Sequence, residues 1–241
     1  MIHVIVVDDQ ALIRGALSAL IDLEDDMEVV AQAGNGHEAL AAIEAHTSAH
    51  PGSEVPLVVI MDVEMPVMDG YEMVAKIRET DRLQPIVFAS GMEDPSHVMR
   101  GYEVGVNNYI KKPYLPEELD AHVRALLRNI NLGGRMENNT ETYPIGRWKF
   151  NAEKASLSDA EGKNVSLTLL ESQILRLLCR SMGETVGRDT ILETLWPDVD
   201  YFYASRRLDV FITKLRKLLS ADPAITISTI RGVGLRLDVE N

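Results

Sequence analysis

The sequence has a single cysteine, Cys179, so it cannot form a disulfide within the chain and has no thiol cluster for a metal. None of its apolar stretches approaches the roughly 20 residues that a membrane helix requires, and no basic and then apolar leader precedes Val4. These absences exclude a disulfide scaffold and lead us to expect a cytoplasmic protein without a membrane anchor. Cys179 lies in an apolar helical pattern, and we interpret it as a packing residue.

Two further absences limit the chemistry. The six histidines are scattered without the spacing of metal ligands, so we expect them at surfaces or helix ends. The chain also lacks the glycine-rich loop with Lys and Ser or Thr that nucleotide hydrolases use to hold phosphates. We therefore do not expect an enzyme. The alternative is that the protein is a phosphatase or an ATPase.

The net charge of −13 is unevenly distributed along the chain. Residues 1–130 contain 9 Lys and Arg against 22 Asp and Glu, a difference of −13, whereas residues 131–241 contain 15 of each kind. Residues 129–142, reading NINLGGRMENNTET, are polar, contain a Gly pair and lack apolar periodicity. We predict an acidic domain at 1–128, a linker at 129–142 and a neutral domain at 143–241.

In the first domain, four polar sites each follow a short apolar run that is typical of a strand buried on both faces. Asp8-Asp9 follow residues 4–7, Asp62 follows residues 57–61, Ser90 follows residues 86–89, and Lys112-Pro113 follow Tyr109-Ile110. Helical patterns alternate with these runs, at residues 10–23, 36–46, 71–80, 95–104 and 116–127. The alternation predicts an α/β fold with a doubly wound parallel sheet of five strands, whose carboxyl edge would collect the four polar sites.

The residue types at this edge suit phosphoryl transfer. Crowded carboxylates repel one another unless a hard divalent cation neutralises them, and Mg²⁺ binds one or two carboxylates together with water and phosphate oxygens. A carboxylate can attack a phosphorus donor when a metal and a cation hold the phosphoryl oxygens, so Asp62 is the candidate nucleophile. Lys112 supplies the positive charge, and the Ser90 hydroxyl can donate to a phosphoryl oxygen. Any one of these residues could be an ordinary loop residue, but together they predict one pocket that binds Mg²⁺.

Residues 1–128 resemble the receiver domain of bacterial response regulators, on the residues above and on the turn Asp62-Val63-Glu64-Met65-Pro66 with Asp69-Gly70. The resemblance implies a flavodoxin-like fold and phosphorylation of Asp62 by a sensor histidine kinase. It implies that Asp9 binds Mg²⁺ directly and Asp8 through water, together with Asp62 and the backbone carbonyl of Glu64. It also implies that Ser90 and Tyr109 change conformation beside Lys112 and Pro113.

Two segments depart from that family. Residues 46–56, HTSAHPGSEVP, precede the phosphoacceptor strand as an insertion that we predict to be a surface loop, either tolerated or used for an interaction. Asn107-Asn108 stand where the family has an acidic pair for its dimer, and His122 and Ala125 stand where it has positive charge, although Arg124 and Arg128 remain. We therefore expect a phosphorylation-driven homodimer on DNA that rests on apolar contacts or uses a different surface.

In the second domain, residues 205–219 form an amphipathic helical pattern. At about 100° per residue, the apolar face consists of Leu208, Phe211, Ile212, Leu215, Leu218 and Leu219. From Tyr203 to Leu219 there are five basic residues and one acid, Asp209, so this segment has a net charge of +4. Such a charge is found both on solvated surface helices and on helices that bind a phosphate backbone.

The segments around this helix favour DNA binding. A helix is predicted to begin at Thr168 with a capping box to Glu171, a second covers residues 188–196, and strands at 225–230 and 233–239 meet at Arg231-Gly232 as a hairpin. From about Tyr143 the chain resembles the winged helix-turn-helix domain of the OmpR/PhoB family, a smaller α+β domain. The motifs that carry this resemblance are Leu167-Thr168-Leu169-Leu170-Glu171, residues 188–196, residues 209–218 and Arg231-Gly232-Val233-Gly234.

By that resemblance the helix enters the major groove and Arg231 on the hairpin reaches the minor groove or the backbone. We predict base contacts from Val210, Thr213 and Lys214, phosphate contacts from Arg206, Arg207, Arg216 and Lys217, and further contacts from Thr229 and Arg231. The aromatic and acidic loop at 197–203 either contacts RNA polymerase, as the resemblance implies, or is anchored by its aromatic side chains. The resulting prediction is a phosphorylation-regulated, DNA-binding transcriptional regulator of a two-component system. The alternative is a response regulator that acts through protein contacts or without phosphorylation.

Overall fold

The computed structural model describes residues 1–53, 55–91, 94–134, 141–197, 199 and 201–240. The chain forms two compact units, Met1–Arg128 and Asn129–Asn241. Each unit has its own core of buried apolar side chains, and each is described separately below.

The first unit is built on a parallel sheet. Its strands are β1 (Ile2–Val7), β2 (Met27–Ala33), β3 (Leu57–Met61), β4 (Ile86–Ser90) and β5 (Asn108–Lys111), in the order β2-β1-β3-β4-β5. The helices are α1 (Ala11–Ile21), α2 (Gly36–Ala49), α3 (Gly70–Thr80), α4 (Pro95–Val104) and α5 (Pro116–Gly134). Every residue of β3 and β4 is buried, as in strands that are covered on both faces. The predicted doubly wound sheet is confirmed, and its strand order is that of flavodoxin-like folds.

Two helices are longer than predicted. α2 continues to Ala49, so the first residues of the predicted loop at 46–56 are helical. This segment contains no helix breaker before Pro51, and the helix ends at its cap His50 because a residue that precedes proline is disfavoured in the helical conformation. α5 likewise runs past residue 127 to a Gly pair at its end, and so includes the first part of the predicted linker. Glu54 and residues 135–140, which belong to these two predictions, lie outside the described residues.

The second unit contains two antiparallel sheets and three helices. One sheet is formed by β6 (Thr142–Ile145), β7 (Trp148–Asn151), β8 (Ser156–Asp159) and β9 (Asn164–Ser166), in sequence order. The other is formed by β10 (Thr185–Gly187), β12 (Gly234–Val239) and β11 (Ile225–Ile230), with β12 in the centre. The helices are α6 (Leu169–Arg180), α7 (Arg188–Leu195) and α8 (Tyr201–Leu219). The predicted winged-helix arrangement is confirmed for this half of the chain.

The buried side of α8 anchors it in this unit. Leu208, Phe211, Ile212, Leu215 and Leu219 are buried as predicted, whereas Leu218 is only half-buried. The Phe211 ring stacks on Trp196, which follows α7, with ring centroids 6.4 Å apart and an interplanar angle of 24°. This packing fixes which side of α8 faces solvent.

The β11–β12 hairpin has the tight turn that the sequence predicts. The Val233 amide donates to the Ile230 carbonyl at 3.0 Å, and Gly232 adopts a φ of 73° that favours glycine. Gly234 also has to be glycine, because an added Cβ would lie 1.9 Å from the Val186 carbonyl oxygen of β10. The turn therefore holds Arg231 and Val233 exposed at the tip.

The capping box at the start of α6 is present as predicted. The Thr168 hydroxyl oxygen accepts from the Glu171 amide at 3.4 Å, and the Glu171 carboxylate accepts from the Thr168 amide at 2.8 Å. Both residues are buried, so losing one partner would leave a polar group without a hydrogen bond away from water.

We expect Thr168→Ala to lower the free energy of unfolding of the second unit by about 1 kcal/mol, the usual effect of losing an N-cap side chain. Chemical denaturation followed by circular dichroism would measure it. Thr168→Ser keeps the hydroxyl and should remain close to wild type. Equal destabilisation by both substitutions would contradict the capping role.

Candidate phosphoryl-transfer site and nucleic-acid interface

Three aspartates converge at the carboxyl edge of the parallel sheet. Asp8 and Asp9 follow β1, and Asp62 follows β3. One carboxylate oxygen of each lies within 4.8 Å of those of the other two. Asp8 and Asp62 are buried, with 2% and 7% of their surfaces exposed, whereas Asp9 is exposed. Neighbouring strands hold them in place, because the Asp8 amide donates to the Ala33 carbonyl and the Asp62 amide to the Val7 carbonyl.

Lys112, which follows β5, bridges two of these carboxylates. Its Nζ lies 2.7 Å from Asp8 Oδ2 and 3.0 Å from Asp62 Oδ2. Its amide donates to the Ser90 carbonyl at 2.9 Å, and its peptide bond to Pro113 is cis. Burial is the largest single effect and opposes the charged form of the ammonium, but the hydrogen bonds and the negative charges of Asp8 and Asp62 together outweigh it, so the pKa of Lys112 is raised. The lysine is thus a fixed positive charge in the pocket.

The two oxygens of Asp62 have different partners. Oδ1 accepts from the Val63 amide at 2.7 Å, while Oδ2 faces Lys112. The chain after Asp62 turns closely back, since an added Cβ at Gly70 would lie 2.8 Å from the Asp62 carbonyl oxygen. This turn includes Glu64, whose side chain is exposed. The geometry leaves Oδ2 as the oxygen directed toward the neighbouring cation.

Ser90 and Tyr109 form a buried pair at the ends of β4 and β5. Ser90 is fully buried, Tyr109 is 6% exposed, and their side chains share a hydrogen bond. The Tyr109 ring packs edge to face on Phe88, with centroids 6.0 Å apart. Burial raises the pKa of Tyr109, and the hydrogen bond to Ser90 partly offsets this effect. The tyrosine therefore points into the unit.

The pocket also involves two residues that sequence reasoning missed. Arg14 Nη1 on α1 donates to the Asp8 carbonyl oxygen at 2.6 Å, and the signal that could have indicated it is a basic residue one turn into the helix that follows the acidic pair. Burial raises the pKa of Tyr114. The charge of Lys112 lowers this pKa, and the charges of Asp8 and Asp62 raise it. With carboxylate oxygens as its donors, the acidic pocket suits a hard metal ion.

The residues that depart from the family at β5, and the retained Arg124 of α5, are engaged within the unit. Asn107 is buried, and its Oδ1 accepts from the Ile86 amide at 2.9 Å and from Arg78 Nη2 at 3.2 Å. Asn108 Nδ2 and His122 Nδ1 on α5 are 2.6 Å apart. Arg124 donates to both carboxylate oxygens of Asp26, at 2.5 and 2.9 Å. These groups are occupied with partners inside the unit.

The exposed side of α8 carries most of the predicted DNA contacts. Arg206, Thr213, Arg216 and Lys217 are exposed, as are Thr229 and Arg231 on the hairpin, and Val210 and Lys214 are half-buried. The Arg206 guanidinium lies over the Phe202 ring, 4.4 Å from its centroid. The surface is thus rich in donors suited to phosphate.

One of the predicted phosphate contacts lies on the packed side of α8. Arg207 is buried, with 5% of its surface exposed, because it lies one helical turn before Phe211. Arg216 also differs from the prediction in part, since Nε donates to the Ile227 carbonyl and Nη2 to Thr229 Oγ1, each at 2.8 Å. It ties α8 to the hairpin while remaining exposed.

The single acid of α8 is paired with a residue that sequence reasoning did not select. Arg188 Nη2 at the start of α7 donates to Asp209 Oδ1 at 2.6 Å and to the Ser205 carbonyl at 2.7 Å. These contacts join α7 to α8. They also neutralise the charge of Asp209, so this acid does not weaken the positive charge on the exposed side of α8.

The aromatic loop predicted at 197–203 is shorter in the structure. Tyr201, Phe202 and Tyr203 form the first turn of α8 and are 58%, 52% and 43% exposed, so they do not anchor a loop by burial. No proline lies between Pro197 and Tyr201, so the sequence has no second helix breaker before α8. Asp198 and Asp200 lie outside the described residues.

Within the described ranges, no helix is long and apolar enough to cross a membrane.

Comparison with known proteins identifies both halves of the chain. Residues 4–124 match the response regulator receiver domain, and residues 162–237 match the C-terminal domain of transcriptional regulatory proteins. The transcriptional regulatory protein RprY of Bacteroides fragilis is 36% identical over 74% of each chain. ResD of Bacillus subtilis, also named a transcriptional regulatory protein, is 30% identical over 98% of this chain and 95% of its own.

The fold comparison agrees with these matches. The structure of a mutant form of RitR superimposes with a TM-score of 0.76 over 100% of both chains at 19% identity, which shows a shared fold. The chain belongs to the response regulators of the OmpR/PhoB type, phosphorylation-regulated transcriptional regulators that join a receiver domain to a winged-helix DNA-binding domain.

Proposed function

We propose that phosphorylation of Asp62 by a sensor histidine kinase switches this protein and that sequence-specific DNA binding is its output. The observation that carries the proposal is the Lys112 ammonium, which bridges Asp8 and Asp62 in a pocket of converging carboxylates. This arrangement provides a nucleophile, a cation for phosphoryl oxygens and a set of metal ligands at one sheet edge.

The residues present fit Mg²⁺ as the metal. Asp8, Asp9, Asp62 and the Glu64 carbonyl would hold it, and the bound ion would neutralise the carboxylates and the phosphoryl oxygens. Asp62 Oδ2 is the attacking oxygen in this proposal, because it lies beside Lys112, the cation that would hold the phosphoryl group, whereas Oδ1 accepts from the Val63 amide. A bond forms between Oδ2 and phosphorus while the bond from phosphorus to the kinase imidazole nitrogen breaks.

The buried Ser90–Tyr109 pair is the proposed switch. Once Asp62 carries a phosphoryl group, the Ser90 hydroxyl can donate to one of its oxygens, and Lys112 can pair with another. Ser90 then gives up its hydrogen bond with Tyr109, and the tyrosine loses the partner that stabilises its present position. Phosphorylation would in this way change the surface around β5 and the Lys112-Pro113 segment that follows this strand.

Phosphorylation would favour a homodimer that places two α8 helices on adjacent half-sites, roughly 10 bp apart. Asn107, Asn108 and Arg124 are engaged within the unit, which supports a dimer that uses apolar contacts or a different surface. The phosphorylated product is a regulated state and is not released as a metabolite, so we do not class the protein as an enzyme.

For DNA recognition we propose that Val210, Thr213 and Lys214 contact bases, while Arg206 and Lys217 contact phosphates. Arg231 at the exposed hairpin tip would reach the minor groove or the backbone. Arg216 and Thr229 chiefly hold the hairpin against α8, and Arg207 has a packing role. The exposed aromatic turn at Tyr201 is the candidate contact for RNA polymerase. We also propose that this regulator acts in the cytoplasm.

We expect wild-type protein to gain one phosphoryl group from a small phosphodonor with Mg²⁺, and Asp62→Asn to gain none, as intact mass spectrometry would show. Asp25→Asn, an exposed aspartate outside the pocket, is the matched control and should behave like wild type. DNA affinity of the treated wild type should rise relative to Asp62→Asn. A phosphorylated Asp62→Asn protein would disprove the assignment, whereas unchanged DNA affinity would disprove the coupling.

Lys112→Met should tighten Mg²⁺ binding by about tenfold, because it removes a positive charge that competes for Asp8 and Asp62. The same substitution should slow phosphorylation of Asp62, since Mg²⁺ is then the one remaining cation of the proposed pocket that holds the phosphoryl group. Isothermal titration calorimetry and a phosphorylation time course measure the two effects. Lys111→Met, on the exposed end of β5, is the control, and unchanged or weaker Mg²⁺ binding by Lys112→Met would argue against the bridging role.

Lys217→Ala should weaken binding to all DNA sequences alike and reduce the slope of log affinity against log salt by about one unit. Thr213→Ala should instead relax the preference at one base position, because base contacts carry the sequence information. Fluorescence anisotropy at several salt concentrations separates the two. Lys154→Ala, an exposed lysine in the turn before β8, should change neither quantity. Affinity of the wild type that does not depend on salt would refute a DNA output.

A further inference from the structure

Three histidines meet in the first unit where neither the sequence pattern nor the proposed function placed a site. His3 lies near the start of β1, and His46 and His50 lie one turn apart at the end of α2. His3 Nδ1 is 2.8 Å from His46 Nε2, and the rings of His46 and His50 stack with centroids 4.6 Å apart. The phosphoryl site follows the other end of β1, so the two clusters lie at opposite edges of the sheet.

The insertion builds this cluster. The extra residues at 46–56 lengthen α2 and carry both helical histidines, which four-residue spacing places on one side of the helix. The prediction of surface or cap roles is right for His50, which caps α2, but it missed the convergence with His3. The missing information was the packing of α2 against the start of β1.

One ring already has a partner of the kind that orients a metal ligand, and a second has a carboxylate nearby. His50 Nδ1 lies 3.0 Å from the His46 carbonyl oxygen, which can only accept, so Nδ1 carries the proton and Nε2 is left as a ligand atom. His3 Nε2 lies 3.9 Å from the Glu28 carboxylate on β2, while Nδ1 faces His46. A carboxylate or carbonyl behind a ligating imidazole is the usual supporting arrangement in metal sites.

A transition metal would require a small rearrangement of these rings. His3 Nδ1 and His46 Nε2 lie 2.8 Å apart, at hydrogen-bond distance, whereas two nitrogens on a tetrahedral ion with bonds of about 2.0 Å lie about 3.3 Å apart, so the ion would replace this hydrogen bond. Burial and the nearby His50 and His3 lower the pKa of His46, which favours the neutral form that a metal requires. His50 is exposed, so a small shift of its ring can bring Nε2 toward the other two nitrogens without disturbing a core.

We propose that His3, His46 and His50 bind a divalent transition metal of the Zn²⁺ class, with a fourth position for water or another ligand. The ion would cross-link the end of α2 to β1. Imidazole nitrogen distinguishes this site from the oxygen-only acidic pocket, which prefers harder cations.

Full-length protein freed of metal by a chelator is titrated with Zn²⁺ against a chromophoric chelator, with excess Mg²⁺ present to occupy the acidic pocket. Wild type should bind one Zn²⁺ per chain, and Co²⁺ in its place should give the visible absorption of a tetrahedral site. His46→Gln and His50→Gln should each weaken Zn²⁺ binding more than the roughly 10–100-fold that loss of an outer partner causes.

His37→Gln is the matched control, because His37 lies exposed on the same helix outside the cluster. It should bind Zn²⁺ as wild type does, and Zn²⁺ should raise the Tm of wild type and His37→Gln but not that of His46→Gln. His50 is exposed, so His50→Gln tests the site even if His46→Gln folds poorly. The proposal is overturned if wild type binds no Zn²⁺ under these conditions, or if His50→Gln and His37→Gln bind it equally well.

Discussion

Repulsion among Asp8, Asp9 and Asp62 is the constraint on which the receiver depends. Two of these carboxylates are buried, where charges interact strongly and water cannot screen them, so the folded unit needs a positive charge at the same edge. Lys112 supplies it and thereby connects the segments that follow β1, β3 and β5. Three carboxylates still outnumber this one lysine, so the pocket suits a metal ion, and in the proposed mechanism the ion and the lysine together hold a phosphoryl group.

The receiver and the winged-helix half of the chain are stabilised in different ways. The receiver keeps a buried hydroxyl pair, Ser90 and Tyr109, and in the proposed switch their hydrogen bond is exchanged for one to a phosphoryl oxygen, so that two arrangements compete. The winged-helix half instead uses ionic and polar ties that hold its parts together: Arg188 joins α7 to α8 and Arg216 joins α8 to the hairpin. A DNA-reading surface benefits from such rigidity, because base contacts require side chains at defined positions.

Local signals predicted local structure well. The capping box of Thr168 and Glu171, the start of α4 at Pro95 and the glycine turn of the hairpin all depend on residues close together in the chain. Predictions failed where a boundary depended on weak signals, as at the ends of α2 and α5, which continue until proline or glycine stops them. The burial of Arg207 was not predicted either, because the apolar face of α8 was drawn from apolar residues and packing also covers this basic residue.

By itself, the sequence determined which chemistry each half can perform, because carboxylates, a lysine, a hydroxyl and a basic helix have their reactivity and charge wherever they lie. Only the tertiary structure decided which of these groups meet and which are buried. It placed Lys112 between Asp8 and Asp62, tied Arg216 to Thr229, and brought His3 to His46. Such contacts join residues far apart in the chain, and they form because the strands and helices have only a few ways to bury their apolar faces together.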